Sequence, residues 1–458
     1  MAKSRSTRWA SRKASTESSY WKLWRAVTPR TKDGWAAGGP EFGNRIGDKR
    51  TSATSASGPT AAMLAPPPER SCRLERVSSG RATRRRFLQS AAGAAAATWL
   101  APAAFSAAPE RLLGTVPFVG EGAFPVDITV GAGLGRRRAL DLSTLSAGAL
   151  LTPQDRFFIR TACPDRLPPT SSWKLRVHGL VEAPMEIALD TLAREAVPQG
   201  AHLLECSGNS RNAHFGFMSA AEWTGVRLDR VLERVGRLPR ATRVLVSGFD
   251  EHSVGDPGSV PGASWIFGFD QVRATGLFLA TRMNGAPLAR DHGDPVRLVV
   301  PGWYGCASIK WVNEIVLVDD EEPPTDHMRE YAGRTHQAAV GPRTRASDFR
   351  PATVDPAALP VRVEKLGAAD GKISYRIVGI VWGGPTPARA LGIRFNPRLD
   401  LTPVEDVGRA DGRTWALWSH RFAPPAPGRH RIELAVSDPT LRTRRLDMGF
   451  YAREIEIA

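Results

Sequence analysis

Residues 202–211 read HLLECSGNSR and place Cys206 between a short apolar run and a Gly-Asn turn. The apolar run predicts a strand, and the turn residues predict that the chain bends directly after the cysteine. Such a cysteine is held rigidly with its sulfur exposed, and Arg211, five residues further on, favours thiolate over thiol. A thiolate is the ligand that a soft, high-valent metal needs, although the spacing alone favours a buried structural cysteine.

A second stretch, residues 290–311, reads RDHGDPVRLVVPGWYGCASIKW. It places His292, Arg297, Ser308 and Lys310 around a buried strand and the turns that follow it. Backbone amides near glycine, together with Arg and Lys, make a cradle for phosphate. The alternative is a solvated strand edge with a few charges. We prefer the cradle because the cations bracket a glycine-containing loop instead of sharing one charged face.

The pattern from Pro109 to about Val318 mixes strands with short helices and predicts an α+β domain. Apolar alternation or buried apolar runs predict strands at 173–179, 242–249, 295–300 and 309–318, and helical spacing predicts a helix at 228–235.

The pattern changes after an acidic, proline-containing break at 320–324. Turn residues then separate short apolar runs at the spacing of a β-sandwich. The predicted strands are 361–365, 374–381, 391–395, 415–422 and 431–436. We therefore predict an α+β domain at 109–330, a connection at 331–350 and an all-β domain at 351–458.

The basic charge of the chain is concentrated before residue 109. Residues 1–108 hold 19 Lys/Arg and 6 Asp/Glu, whereas the rest holds 43 and 40, a net charge of only +3. The folded body is therefore predicted to bind neither nucleic acid nor a membrane through a polybasic patch. Residues 1–62 lack apolar periodicity, which indicates either a disordered extension or sequence upstream of a true start at Met63.

Residues 63–108 have the parts of a secretory leader in the usual order. An arginine-rich segment, TRRRFLQ at 83–89, precedes an alanine-rich run and small residues that suit a cut after Ala108. The arginine pair followed by Phe-Leu indicates the twin-arginine pathway, hence a periplasmic protein. The apolar run is too short for a permanent membrane anchor. Because that pathway carries folded proteins, the leader also raises the odds of a complex redox cofactor.

Together these segments resemble the molybdopterin domain of the sulfite oxidase family, from about Phe157 to the C-terminus. The Cys-x-Gly-Asn stretch, the Asn-Gly…Arg-Asp-His-Gly-x-Pro-Val-Arg stretch and the Gly-x-x-x-x-Lys-Trp stretch occur in the same order at matching spacing. The resemblance implies a sulfite-oxidase-like fold followed by an immunoglobulin-like dimerisation domain, whose tryptophans are interpreted as core, and thus a homodimer. It also implies a molybdenum-molybdopterin cofactor.

The resemblance also implies roles for individual residues. Cys206 would be the metal ligand, and Arg160, Arg211 and Tyr331 would complete the catalytic set. The residues that would bind the cofactor are Phe158, Ile159, Arg160, Asp250, His292, Arg297, Ser308, Ile309 and Lys310.

Several positions depart from the family's pattern. Thr161-Ala162-Cys163 stands where Asn-His is usual, and Ser210 replaces an arginine. The loop after Arg211 lacks the Lys and Trp that shape the family's anion pocket, and no arginine can be assigned at the chain's end, where residues 448–451 read MGFY. The substrate pocket is therefore predicted to be less cationic than that of sulfite oxidases.

The implied reaction is oxygen-atom transfer to sulfite or a related sulfur compound. The chain has no CxxCH motif and no His-Pro-Gly-Gly stretch, so we expect no haem within it and a separate c-type cytochrome as electron acceptor. One alternative is a reductase of a sulfoxide or another small oxyanion on the same fold. Another is a metal-free binding protein derived from that fold, against which the joint presence of Cys206, Arg160 and Tyr331 argues.

Overall fold

The structure, a computed structural model, describes residues 110–458 apart from 123–126, 130–135, 165–166, 250–260, 332–349, 385–389, 397–399, 409–411 and 442. The predicted extension, the predicted leader, Asp250 and almost all of the predicted connection at 331–350 lie outside the described residues.

The described residues form mostly strands. These are β1 Arg111–Val116, β2 Asp127–Thr129, β3 Arg136–Arg138, β4 Lys174–Gly179, β5 Met185–Ala188, β6 Val197–Glu205, β7 Met218–Arg227, β8 Arg243–Phe249, β9 Pro261–Gly268, β10 Phe278–Met283, β11 Ala286–Pro287, β12 Arg297–Val299, β13 Val312–Val318, β14 Ala357–Gly367, β15 Ile373–Trp382, β16 Leu391–Phe395, β17 Thr402–Pro403, β18 Asp406–Val407, β19 Ala416–Phe422, β20 Gly428–Val436 and β21 Arg453–Ile457.

The helices of the described residues are short: α1 Leu189–Glu195, α2 Leu228–Leu232, α3 Phe269–Thr275, α4 Asp326–Tyr331 and α5 Arg444–Asp447. Among the described residues, no helix is long and apolar enough to cross a membrane. The strands predicted from alternation and apolar runs are confirmed, with ends that differ by a few residues, and the helix predicted at 228–235 is confirmed in its first part as α2.

The sheet that carries the first quoted stretch has the order β11-β10-β7-β6, with β12 also paired to β10. Strands β6 and β7 form an antiparallel hairpin whose last pair is Glu205 with Met218, so Cys206 emerges where the hairpin opens. The C-terminal half of β6 is buried, because Leu204 packs in a core with Phe157, Trp223 and Cys206, and Leu203 packs in a second core. Burial of this strand end is what gives the cysteine a rigid position.

The second sheet has the order β5-β4-β13-β8-β9, in which β13 runs parallel to β4 and antiparallel to β8. Its core contains Leu175, Val246 and Ile315, together with Val300 and Ile309 from within the second quoted stretch. The loop from β12 to β13 is therefore held between two sheets. That arrangement positions the cations of residues 290–311.

Two further sheets, β1-β14-β15-β19-β18 and β17-β16-β20-β21, contain most of residues 351–458. They share one hydrophobic core, to which Ile377 and Trp418 contribute from the first and Ile393 and Ile455 from the second. Strand β1 pairs with β14, so a segment from the start of the predicted 109–330 domain lies in a C-terminal sheet. The domain boundaries and the immunoglobulin-like topology stay predictions.

Candidate cofactor and active site

A cavity lies where β6 ends, beside the loop from β12 to β13. It encloses about 90 Å³, so a bulky ligand could occupy it with one end only. Its walls come from segments far apart in the sequence. They are Phe157, Phe158, Arg160, Thr161, Leu204, Cys206, Ala263, Asp291, His292, Arg297, Gly305, Cys306, Ser308, Ile309, Lys310, His327 and Tyr331.

Cys206 lines the cavity and is held by the turn predicted from Gly-Asn. Asn209 is buried and shapes this turn, because its side-chain amide donates to Phe215 O at 2.8 Å and its side-chain oxygen accepts from Phe217 N at 3.1 Å. The amide of Cys206 also donates to Phe217 O at 2.9 Å. Gly208 N lies 3.4 Å from Cys206 Sγ and donates to it. The sulfur is thus both placed and oriented by backbone contacts.

Cys306 is a second thiol in the cavity lining. Burial, and the proximity of Cys206, raise the pKa of Cys306 to about 12. Cys306 is therefore a neutral thiol in the cofactor-free protein at physiological pH. Of the two cavity cysteines, Cys206 is the one in the Cys-x-Gly-Asn stretch whose resemblance implies a metal ligand.

One cation of the second quoted stretch is buried at the cavity. Arg297 is only 5% exposed. It donates to two carbonyl oxygens, those of His292 at 3.1 Å and Ser308 at 3.4 Å, while its Nε has no hydrogen-bond partner. No carboxylate pairs with it in the described part of the chain, and burial lowers its pKa to about 9. A buried guanidinium of this kind is satisfied by an anion.

His292 differs from the neighbouring cations because it is neutral. Its Nε2 lies 2.8 Å from Gln154 O, and it is 3% exposed. Burial, together with the charges of Lys310 and Arg297, lowers its pKa to about 4. The imidazole can therefore donate from Nε2 without adding charge to the cavity.

Lys310 connects two parts of the cavity lining, since its Nζ donates to Thr161 O and, at 2.8 Å, to Asp291 O. Gly293 makes this approach possible: its φ is +104°, and a Cβ there would lie 2.9 Å from Arg297 Cβ and 3.1 Å from Lys310 Cβ. The Ser308 hydroxyl accepts from Val300 N at 3.1 Å. We call His292, Arg297, Ser308 and Lys310 the cavity wall.

The other residues expected from the sequence divide into four groups. Phe158, Arg160, Ile309 and Tyr331 line the cavity with the residues above. Ile159 is buried beside it, where its backbone pairs with Arg138. Arg211 does not line the cavity, and its guanidinium donates instead to the carbonyl oxygen of Ala452. Asp250 lies outside the described residues.

Sequence reasoning missed three titratable residues of the cavity lining, Asp291, Cys306 and His327. The His327 ring lies 4.9 Å from that of Tyr331, and its Nε2 lies 2.9 Å from Cys306 O. The four-residue spacing of His327 and Tyr331 on one helix would have placed them on the same face. Cys306 adjoins Gly305 in the quoted stretch, but nothing in the local pattern indicates that it meets Cys206.

Comparison with known proteins gives concordant similarities. Residues 162–325 match the family model described as oxidoreductase molybdopterin binding domain. The chain is 31% identical to sulfite oxidase of Gallus gallus over 303 residues, 62% of each chain. It is 30% identical to a nitrate reductase [NADPH] of Leptosphaeria maculans, over 53% of this chain and 30% of that one. The chain thus spans less than two thirds of the length of these relatives.

A solved structure adds a likeness in fold alone. The sulfane dehydrogenase SoxCD from Paracoccus pantotrophus superposes with a TM-score of 0.54 at 19% identity, over 72% of this chain and 89% of that chain. The matched family model spans both the cysteine-bearing hairpin and the cavity wall of this chain.

Proposed function

We propose that this chain, which belongs to the sulfite oxidase family of molybdopterin oxidoreductases, oxidises sulfite or a related small sulfur compound by oxygen-atom transfer. The observation that carries the proposal is the meeting of Cys206 with Arg160, Arg297 and Lys310 in one cavity. One soft thiolate donor and several cations are what an anionic, phosphate-bearing metal cofactor requires.

The residues present fit that cofactor. Arg297 is buried with an unsatisfied Nε and no carboxylate partner among the described residues, so an anionic group would complete it. Lys310 adds a second positive charge to the cavity lining. Cys206 would hold the metal, and the cofactor, once bound, would supply a centre able to exchange an oxygen atom and two electrons with the substrate.

The chain's own residues would bind and orient the substrate. Arg160 lines the cavity and would bind an anionic oxygen, since a guanidinium makes two parallel hydrogen bonds to such groups. Tyr331 would donate a hydrogen bond from its hydroxyl. Such preorganised donors stabilise charge that develops on a transferred oxygen. Arg211 would contribute only through Ala452 or by a change of rotamer, because its guanidinium lies outside the cavity lining.

Sequence features support further parts of the proposal. The arginine-rich leader supports export by the twin-arginine pathway to the periplasm. A separate c-type cytochrome would accept the electrons, and the C-terminal sheets would form an immunoglobulin-like sandwich that joins two copies. The structural neighbour is a sulfane dehydrogenase, and its name supports a sulfur substrate for this chain as well.

A second candidate function is reduction of a small oxyanion. The similarity to nitrate reductases at 30–31% identity favours nitrate as the oxyanion to test. The same cavity cations would bind nitrate or sulfite, so the direction of the reaction has to be measured with an electron donor and with an acceptor in parallel.

The test starts with protein purified from a host that makes molybdopterin. Bound molybdenum is measured per chain, and cytochrome c reduction is followed with sulfite, alongside nitrate reduction by a reduced dye. Cys206→Ser is expected to lower turnover at least about 100-fold, because even residues that only support a ligand change activity 10–100-fold.

The matched control is Cys306→Ser, which replaces the other cavity thiol and is expected to keep molybdenum. Absence of molybdenum from the wild-type protein would contradict the proposal and favour a metal-free binding protein. Bound molybdenum with turnover of nitrate but not of sulfite would replace the first candidate function with the second.

A further inference from the structure

The residues on either side of Cys206 are held by the C-terminal part of the chain. Glu205, the residue before it, is 1% exposed. Its carboxylate accepts from Trp382 Nε1 at 2.8 Å and from the Tyr451 hydroxyl at 3.3 Å, and it pairs with the Arg445 guanidinium at 3.7 Å. Burial raises the pKa of this carboxyl group, and three side chains from distant parts of the chain contact it.

The residue after Cys206 is held by one of the same groups. Arg445 Nη2 donates to the carbonyl oxygen of Ser207 at 2.6 Å, while Nη1 of the same guanidinium faces Glu205. A planar guanidinium with donors in a rigid fork therefore reaches both neighbours of the cysteine. We call Trp382, Arg445 and Tyr451 the C-terminal clamp.

The turn beyond the cysteine is fixed by the same segment. The ring of Phe215, at the end of the turn, lies 5.3 Å from that of Tyr451. Arg453 Nη2 donates to His214 O at 3.2 Å. His214 and Phe215 have φ values of +46° and +61°, which residues other than glycine rarely adopt. The contacts from Tyr451 and Arg453 therefore have to hold this part of the turn in place.

Stability alone does not explain an ion pair at this position. Removing two charges from water offsets most of their attraction, and an apolar pair of the same size is often at least as stable. The hydrogen bonds from Trp382 to the Glu205 carboxylate and from Arg445 to the Ser207 carbonyl do provide a defined geometry, and groups that support a metal ligand tune its orientation.

We propose that Glu205 and Arg445 are positioning residues that fix the direction of the Cys206 sulfur toward the cofactor, and so make the C-terminal clamp part of the metal site. The proposal rests on the assignment of Cys206 as the metal ligand. A change in the pair would rotate the turn and change the overlap between sulfur and metal.

The test uses full-length protein loaded with cofactor. Glu205→Gln keeps the shape and an acceptor for Trp382 but removes the charge that Arg445 faces. The double variant Glu205→Gln/Arg445→Met removes both charges, so no unpaired buried charge remains and folding is retained. Arg445→Lys keeps a cation that cannot reach both neighbours. The matched control is Glu364→Gln, a buried carboxylate paired with Arg362 and Arg376 and absent from the cavity lining.

Three readouts separate positioning from simple support of the fold. We expect kcat to fall about 10–100-fold in Glu205→Gln and in the double variant, with a smaller change in KM. The visible absorption and paramagnetic resonance spectra of the bound metal should shift in the same variants. In cofactor-free protein, alkylation of Cys206 by iodoacetamide, followed by peptide mass spectrometry, should accelerate several-fold.

The result that overturns the proposal is a double variant with restored Tm, wild-type kcat and unchanged spectra. Shifts of equal size in Glu364→Gln would also overturn it, since they would come from lost stability alone. The spectra and the alkylation rates test the positioning role even if no tested substrate is turned over. A wild-type chain that binds no molybdenum overturns this proposal together with the proposed function.

Discussion

The two sides of Cys206 differ in how their buried charges are balanced. On the cavity wall, Arg297 is buried with an unsatisfied Nε and without a carboxylate partner in the described residues. On the clamp side, the buried carboxylate of Glu205 faces a cation and two hydrogen-bond donors from the chain itself. The first side holds a buried cation without a counter-charge in the described part of the chain, whereas on the second side the chain itself supplies the counter-charge. Variants on the two sides should therefore behave differently when cofactor is absent.

The largest effect is expected when one partner of the clamp's ion pair is removed. Arg445→Met leaves Glu205 buried and unpaired, and we expect the free energy of unfolding to fall by about 3–5 kcal/mol. Chemical denaturation of cofactor-free protein measures it. The control is Glu205→Gln/Arg445→Met, which leaves no unpaired charge and should recover most of the loss. If Arg445→Met is as stable as the wild type, the ion pair between Glu205 and Arg445 does not stabilise the fold.

His292 gives a pH dependence to the cavity wall. Its pKa is about 4 in the folded protein, because burial opposes the charged form, against an ordinary value of 6.5. The folded state therefore binds fewer protons than the unfolded state between these values, so its stability is full above pH 6.5 and is lost as pH falls toward 4. Two and a half pKa units correspond to about 3 kcal/mol.

The measurement compares unfolding free energies of cofactor-free wild type and His292→Gln at neutral pH and near pH 4. Titration of the remaining groups is common to both proteins and cancels in the comparison. The wild type should lose about 3 kcal/mol more than the variant over this interval. Equal losses in the two proteins would mean that His292 is not buried in its neutral form.

Substitutions of Arg297 should affect cofactor binding without lowering the stability of the cofactor-free protein. Arg297→Met removes a buried cation that awaits an anion, so retention of cofactor should fall about 100-fold, equivalent to about 2.7 kcal/mol. The cofactor-free variant should be no less stable than the wild type, because the desolvation penalty is removed with the charge. Molybdenum content after dialysis and the denaturation midpoint are the two measurements. Arg297→Lys keeps a charge, so its cofactor retention should lie between that of the wild type and that of Arg297→Met. A large loss of stability in cofactor-free Arg297→Met would contradict the view that Arg297 awaits an anion.

The two sides also differ in how far the sequence predicts them. The cavity wall lies within a short stretch, residues 290–311, whose glycines and cations are informative without tertiary context, and the structure places all four predicted residues at one cavity. The strand before Cys206 and the turn after it follow in the same way from local patterns. The clamp could not be predicted, because Trp382 and Tyr451 meet Glu205 across 177 and 246 residues. Only the folded arrangement of β6, β15 and the C-terminal segment brings them together.

Trp382 shows why the sequence alone did not predict the contacts on the clamp side. Its interpretation as core is correct in burial, since it is 2% exposed, but its indole N–H also donates to the Glu205 carboxylate. Arg211 shows the reverse, because a residue assigned by its place in a motif has its guanidinium on the Ala452 carbonyl and not in the cavity lining. Long-range hydrogen bonds decide both cases, and sequence patterns contain little information about them.

The smallest expected effect is also the most selective for the clamp. Trp382→Phe keeps the apolar bulk of the ring and removes the one N–H that reaches Glu205 Oε2. Hydrogen bonds to charged groups contribute roughly 1.5–3 kcal/mol, so we expect a loss of about 2 kcal/mol in unfolding free energy. Trp418→Phe is the matched control, since its buried Nε1 donates at 3.0 Å to the neutral carbonyl oxygen of Ile380. That loss should be smaller, about 1 kcal/mol. Because Glu205 keeps Arg445 and Tyr451, Trp382→Phe should lose less than Arg445→Met, and equal losses would mean that the ion pair contributes no more than a single hydrogen bond.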